Sequence, residues 1–548
     1  MFKKIFYILE DKKKILYINF IYLIIALIEL IGINFITLFV GNALLKNKDD
    51  KFNITNIDFF KTIDTKLLIV ILILIITIRF IFFIYGNYII KKYILDLNKS
   101  LKIKFLQAFL SSDDNIINDK NDKSDQLTLF SQKIDHFTIQ IIDYFIRLFA
   151  NLLILLAIFG FLLFTEKLIT LYLVSLSLTF FILYHFTFSK FIKRLSEGYY
   201  LNFTSNIKNF LNIINNAIQI KLYQRNDIFI ENSEKWISRS NKDSLKFYII
   251  QIFPRQLLEF LVILFILIIY FFIQGQVENK TVIIFYSTIF LVAFYRMMPP
   301  FLFLIDFFNN LRFFSNPIND LFKYLSIKNN NKITKEKMTV NNIKIQKLYY
   351  EYDKNNKILK NINININKND IIGIFGNSGS GKTTLLKLIL GLQKIQQGKI
   401  LINNKKVQTI SKEIYWKNFS YIPQNSILLD GNLHENIALT QDKNINVDKL
   451  IKSIKFTDLN NKLKLSDKNN YNKENLSKIS GGEIQRISIS RAIYFNRSIF
   501  ILDEATNALD KKTQKFILQK IKKIKDKIIF IVTHDRSVLK ICDKIIYL

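Results

Sequence analysis

Before residue 320 the chain carries six apolar runs, near Ile15–Gly41, Leu67–Ile90, Ile141–Phe164, Leu168–Phe188, Ile250–Phe272 and Thr281–Leu304. Each is long enough to predict a helix that crosses a bilayer, since about 20 apolar residues cover the hydrocarbon core. The sixth is expected to continue as a helix past Pro299 and Pro300. The stretches that join the runs are uneven. Only Thr165–Lys167 and Gln274–Lys280 follow runs three and five, whereas runs two and four are followed by long links rich in lysine and arginine, such as Ser189–Phe247. Basic links stay on the cytoplasmic side, which puts the N-terminus inside. The loop after run one also holds lysines, offset by Asp49, Asp50, Asp58 and Asp64. Ser189–Phe247 keeps apolar residues at helical spacing, so the spans are expected to extend into the cytosol, turn and return. A separate small cytosolic domain is the alternative. The opening MFKKIFYILEDKKKILY has charges on both sides of a short apolar stretch and no small-residue cleavage site. It reads as an interfacial elbow helix rather than a signal peptide.

After a polar linker, Lys328–Lys337, the period changes. Short runs with β-type composition alternate with helical ones: IKIQKLYY, INININ, IIGIF, KILIN, FSYIP, IFILD and IIFIVT. That alternation predicts an α/β domain with a largely parallel core sheet. The expected organisation is therefore a membrane domain over 1–327, a linker over 328–337 and an α/β domain over 338–548.

Composition supports the division. Half of the 548 residues are hydrophobic, 51 are Phe and 25 Tyr, and yet the net charge is +33. A membrane protein with lysine-rich cytoplasmic surfaces combines these properties easily. The charge reads either as compositional drift or as the mark of an anionic partner; lipid-embedded runs argue against nucleic acid. Cys542 is the single cysteine, so no disulfide within the chain and no Cys/His metal cluster can form. The histidines His136, His185, His434 and His534 are scattered.

Chemistry concentrates in the second half. G-x-x-x-x-G-K-T spans Gly376 to Thr383, after an apolar strand and before an amphipathic helix. In that context glycines let the backbone wrap phosphate oxygens, so that amide N–H groups and a helix N-terminus face the anion. Lys382 would reach the β- and γ-phosphates, and the Thr383 hydroxyl would ligate Mg²⁺. Of the chain's 15 glycines, three fall in this loop, which argues against a chance turn. SIFILDEATNALD is a buried-type strand that ends in Asp503 and Glu504. Asp503 would hold Mg²⁺ through water, and Glu504 would polarise the attacking water as general base.

The C-terminal part resembles the nucleotide-binding domain of ABC proteins. Ile479–Glu483 (ISGGE) resembles the LSGGQ signature, with Ile and Glu at the positions usually held by Leu and Gln. Tyr421–Gln424 resembles the Q-loop, Asn507–Asp510 the D-loop, Val532–His534 the switch-histidine strand and Tyr352 the adenine-stacking aromatic. The resemblance implies ATP bound by Tyr352 and by Gly376, Asn377, Ser378, Gly379, Ser380, Gly381, Lys382, Thr383 and Thr384. It implies Mg²⁺ at Thr383, Gln424 and Asp503, and catalysis by Glu504, His534 and Gln424. His534 alone would read as a polar strand cap, but the order of the motifs implies a γ-phosphate contact. Ser480, Gly481, Gly482 and Glu483 would contact ATP on the opposite subunit, near the D-loop Asp510. One P-loop and one signature per chain thus imply a second chain, most simply a second copy; a heterodimer meets the same requirement.

Six spans with long cytoplasmic extensions resemble ABC exporters. The implied fold is an all-α six-helix transmembrane domain of that type followed by an α/β P-loop ATPase domain, in the cytoplasmic membrane with the ATPase inside. Asn212–Tyr223 is the candidate second coupling helix. IELIGI around Glu29, PRQLLEF from Pro254 and AFYRMMPP from Ala293 resemble PglK-type flippases, which move polyprenyl-diphosphate-linked glycans. The resemblance implies a diphosphate met by Arg79, Arg255 and Arg296. Those arginines either line a cavity for an anionic group or pair internally, as Arg255 would with Glu259 at i, i+4. A multidrug or lipid A exporter and a non-transporting ATP-gated channel or regulatory subunit are the other readings.

Overall fold

A computed structural model describes residues 5–6, 8–9, 11–45, 65–111, 120–165, 167–273, 280–315, 320–322, 338–351, 357–377, 379–440, 445–459 and 479–548. The chain forms two compact units, the first running to Asn329 and the second built from Asn330–Leu548.

In the first unit the six apolar runs fall in six long helices: α1 (Lys12–Leu45), α2 (Thr65–Ser111), α3 (Asp143–Thr165), α4 (Lys167–Leu222), α5 (Asn226–Ile273) and α6 (Lys280–Phe313). Among the described residues, Lys12–Gly32, Lys66–Leu110 and Lys123–Leu163 are long and apolar enough to cross a membrane. One face of each packs inward. Ile18, Ile21, Tyr22 and Ile25 of α1 join Ile90, Tyr93 and Ile94 of α2 in a buried cluster. The outward positions are equally apolar: Leu16, Phe20, Val70, Phe80 and Ile81 are all exposed. A helix that is apolar all round needs an apolar solvent.

The helices extend well past the apolar runs. α4 reaches Leu222, with a break in helical geometry at Asn216, and α5 starts again at Asn226. Tyr223–Arg225 forms the turn between them. This is one extended hairpin, as the apolar spacing of Ser189–Phe247 predicts. α6 runs through Pro299 and Pro300 without ending. At the N-terminus, Ile5, Ile8 and Leu9 are buried at one-turn spacing in the helical core while Phe6 is exposed. The stretch ahead of α3 contains two π-helical segments, Leu129–Lys133 and Phe137–Ile142, which the sequence period does not reveal.

The second unit has two sheets. Strands β3 (Ile371–Phe375), β6 (Phe419–Ile422), β7 (Ile499–Asp503), β8 (Ile528–Thr533) and β9 (Lys544–Tyr547) form a parallel sheet in the order β6-β7-β8-β3-β9. β7 and β8 are buried along their whole length, as near-continuous apolar runs require in a sheet covered on both faces. Strands β1 (Asn342–Glu351), β2 (Lys357–Asn367), β4 (Gln397–Ile402) and β5 (Lys405–Lys406) form a separate antiparallel sheet. The parallel sheet was expected, but the run pattern does not divide the strands between two sheets. Their pairing joins residues far apart in sequence, such as Ile343 with Ile402.

Candidate active site

The parallel register decides where the chemistry lies. Phe375 pairs with Thr533, Asp503 with Val532 and Ile422 with Leu502. The P-loop, the Asp503-Glu504 pair, His534 and Gln424 therefore leave four adjacent strands at the same carboxyl-end edge. Ligands of open parallel sheets bind along that edge.

The P-loop turns sharply from β3 into α7 (Lys382–Ile389). Gly381 lies at φ +102°, and a Cβ there would sit 2.5 Å from Ile358 Cγ2. A Cβ on Gly376 would meet Ser380 Oγ at 2.4 Å and the Leu548 carbonyl at 2.8 Å. Gly381 requires glycine for both conformation and space, and Gly376 for space. Lys382 is buried, and its Nζ donates to the carbonyls of Gly376 at 2.7 Å and Asn377 at 3.0 Å. Its charge is thereby held inside the loop. The Ser380 hydroxyl is buried without a hydrogen-bond partner among the described residues. A buried donor beside a buried ammonium and a helix N-terminus fits a phosphate group. Thr383 is exposed and Thr384 buried at the start of α7. Tyr352 and Ser378 lie outside the described residues.

Asp503 ends the buried strand β7 and accepts a hydrogen bond from the Tyr421 hydroxyl at 2.9 Å. Burial holds its carboxyl above the usual range, and the tyrosine bond opposes that shift. Among the described residues no cluster of three or more His, Cys, Asp or Glu forms a self-sufficient metal cage. The oxygen donors of Asp503, Thr383 and Gln424 suit a hard cation that takes its remaining ligands from phosphate and water.

Glu504 sits just past the strand at φ +49°, and its N–H donates to Val532 O at 3.1 Å. Its Oε2 accepts from Gln424 Nε2 at 2.9 Å and from Asn507 Nδ2 at 3.1 Å. Its Oε1 lies 3.5 Å from His534 Nδ1. Since Gln424 uses its N–H on Glu504, its carbonyl oxygen is the end left for a cation. Below His534, Asp535 accepts from the Ser537 N–H at 2.8 Å, which fixes the turn and keeps the Asp535 carboxyl below its usual range.

Residues 359–507 match the ABC transporter family model. The second unit carries an ABC transporter ATPase domain. Relatives agree over the same part of the chain. An export ATP-binding/permease protein of Rickettsia typhi is 34% identical over 200 residues, covering 36% of this chain and 34% of its own. A leukotoxin export ATP-binding protein of Aggregatibacter actinomycetemcomitans is 35% identical, covering 34% of this chain and 27% of its own. A methionine import ATP-binding protein of Clostridium tetani is 34% identical, covering 34% of this chain and 61% of its own. The chain thus matches about a third of the length of the first of these relatives and about a quarter of the second. In fold the likeness extends further: a bacterial Atm1-family ABC exporter with ATP bound superposes at TM-score 0.80 and 15% identity, covering 98% of this chain and 94% of its own. The fold is that of an ABC exporter, a helical transmembrane domain followed by the ATPase domain.

The ABC signature in this chain opens helix α8 (Gly481–Phe495). Ser480 caps it, and Glu483 reaches back to accept from the Ser480 N–H at 2.8 Å and the Ser480 hydroxyl at 2.7 Å. The Glu in place of Gln therefore completes a reciprocal cap. A Cβ on Gly482 would lie 3.0 Å from Ala508 O, so the signature abuts the D-loop. Asp510 caps α9 (Lys511–Lys522) through the Thr513 N–H at 2.9 Å.

Four contributors were not given roles from sequence. Tyr421 and Asn507 stand inside recognised strings but act through side-chain bonds that cross between strands or turns. Gln485 accepts from the Ala508 N–H at 3.1 Å. Arg486 is buried and donates to Thr457 O, Asp458 O and Thr513 Oγ1, the last at 2.6 Å. The residues after the signature look like ordinary helix polar positions, and only their burial marks them.

In the first unit, Arg79 forms an ion pair with the buried Glu29, and Arg255 Nε lies 3.1 Å from Glu259 Oε1. The side chain of Arg296 lies outside the described residues. Of the two readings for these arginines, internal pairing is the arrangement present at Arg79 and Arg255.

Proposed function

We propose that the chain is half of an ATP-driven exporter that works as a dimer, most simply of two copies, in the cytoplasmic membrane. The observation that carries this reading is the convergence of Gln424, Glu504 and His534 at the strand edge that also bears the P-loop. Glu504 takes a proton from the attacking water, His534 contacts the γ-phosphate, and Lys382 with the loop amides holds the phosphates. Thr383, Gln424 and Asp503 would hold Mg²⁺, which would supply charge neutralisation for the phosphate. Ser480–Glu483 and the D-loop Asp510 complete the site of the opposite subunit. Tyr352 and Ser378 belong to the same ATP site by their place in the motifs. Closure on ATP and reopening after hydrolysis would alternate the access of the membrane domain.

For the cargo we propose an amphipathic anion, a polyprenyl-diphosphate-linked oligosaccharide. The strings around Glu29, Pro254 and Ala293 support this, as does an exposed arginine, Arg255 with 65% of its side chain accessible beside its partner. A specific observation favours a second reading. With Arg79 and Arg255 each against a carboxylate, the diphosphate must compete with Glu29 and Glu259, whereas a multidrug or lipid A type cargo need not. The relatives' cargoes, leukotoxin for one and methionine for another, do not narrow the choice.

Reconstitution into liposomes with a fluorescent lipid-linked glycan separates these readings. ATP-dependent translocation that is lost in Glu504→Gln supports the flippase. Normal movement in an Arg79→Ala, Arg255→Ala, Arg296→Ala triple variant removes the diphosphate cavity and leaves the exporter. ATP hydrolysis with no movement of any cargo would point instead to a channel or regulatory subunit.

A further inference from the structure

We propose that Asn507 is a positioning residue that aims the Glu504 carboxylate at the attacking water. The inference rests on the reading of Glu504 as general base and assigns the group that orients it.

Glu504 hangs off the end of β7 in the left-handed region, one residue beyond the strand. Two amides supply the restraint. Gln424 and Asn507 both donate to Oε2, at 2.9 and 3.1 Å. With both donors on one oxygen, Oε1 is left to act on a proton, on the side facing His534. Only the amide nitrogen of Asn507 can face a carboxylate, because its carbonyl oxygen would be repelled; the orientation follows from the bond itself.

The two donors are not equivalent. Gln424 arrives from the loop after β6, and its other end is the one that suits a cation. Asn507 belongs to the same turn as Glu504. Its own N–H donates to Glu504 O at 3.2 Å, so donor and acceptor are fixed to one piece of backbone. The next N–H, of Ala508, donates to Gln485 from α8. The turn is thus pinned on both sides, and Asn507 holds the carboxylate even when the Q-loop shifts. An orienter of this kind is expected to affect the chemical step more than nucleotide affinity, because its side-chain bond is to the Glu504 carboxylate.

The test is steady-state ATP hydrolysis by the full-length protein in lipid, with Asn507→Ala, Asn507→Ser, Asn507→Asp and Glu504→Gln, together with thermal unfolding of each. Asn507→Ala is expected to lower kcat about tenfold or more, with KM for ATP within about twofold. Asn507→Ser, which keeps a short donor, should fall between wild type and Ala. Asn507→Asp should be the slowest, since it is nearly isosteric but sets a second carboxylate against the first. Asn507→Ala at wild-type kcat, with Glu504→Gln inactive, would overturn the inference and leave the base assignment standing. A common loss of kcat, KM and melting temperature in all three Asn507 variants would mark a structural residue and also overturn it. Full hydrolysis by Glu504→Gln would instead remove the base assignment and the inference with it.

Discussion

At the residue scale, the site depends on positions where one atom more or less changes the geometry. Gly381 is the clearest. Its φ of +102° and the 2.5 Å approach of Ile358 Cγ2 leave no room for a methyl group. Gly381→Ala is expected to abolish detectable binding of a fluorescent ATP analogue. It should also cost about 1–3 kcal/mol of stability, read from thermal unfolding, because both backbone strain and the clash must be relieved. Cys542 gives a test of a different kind. Burial against Gly373 of β3 and the apolar cluster that includes Val538 pushes its thiol up to about 11. The thiolate is the nucleophile, so a raised pKa means less reactive sulfur at any pH below it. Alkylation by iodoacetamide at pH 8 should run roughly 100-fold slower than for a free thiol, and should accelerate as pH rises toward 11 or when the protein is unfolded. With a single cysteine in the chain, mass change reports this directly. Much of the residue scale is legible from sequence: Lys382, Asp503, Glu504 and His534 stand at fixed places in motifs. Tyr421 and Asn507 are not, because their roles are hydrogen bonds to groups that only folding brings near.

At the element scale, the joint between α8 and α9 is held by a buried cation. Arg486 is 2% exposed and bonds to Thr457 O, Asp458 O and Thr513 Oγ1, with Asp510 3.8 Å away. Replacing it by Met keeps volume but strands those acceptors. Arg486→Met is expected to cost about 3 kcal/mol, seen as a lower unfolding transition in denaturant. ATP hydrolysis should fall with it, because the same joint sets the D-loop against the signature. The elements themselves follow from period. Runs of all-round hydrophobicity gave the six long helices, and β-type runs gave the strands. What period does not carry is partnership. β1, β2 and β4 look like the other strands, yet they form their own antiparallel sheet. The π-helical turns before α3 are likewise silent in the sequence, since an inserted residue shifts a helical face without breaking its composition.

At the scale of the whole molecule, each chain has one P-loop and one signature. If each site is shared between two chains, defects in different halves of the site should complement. Lys382→Ala and Ser480→Arg should each be inactive alone. Co-expressed and mixed at random, they should recover about a quarter of wild-type ATPase activity, since half of the dimers keep one intact site of two. No recovery in a verified mixed dimer would mean that each chain hydrolyses ATP with its own motifs only.

The sequence by itself determined the succession of long apolar helices and an α/β ATPase-type part, and the motifs in which the proposed catalytic groups stand. These are properties of composition, period and local spacing, which are complete in the linear chain. The tertiary structure decided which strands pair, which amides hold Glu504, and that Arg79 and Arg255 face carboxylates rather than standing alone. Those depend on contacts between residues far apart in sequence, such as Arg79 with Glu29 and Gln424 with Glu504. A charge in a linear chain carries no mark of its eventual partner; only the packing of one helix or loop against another supplies it.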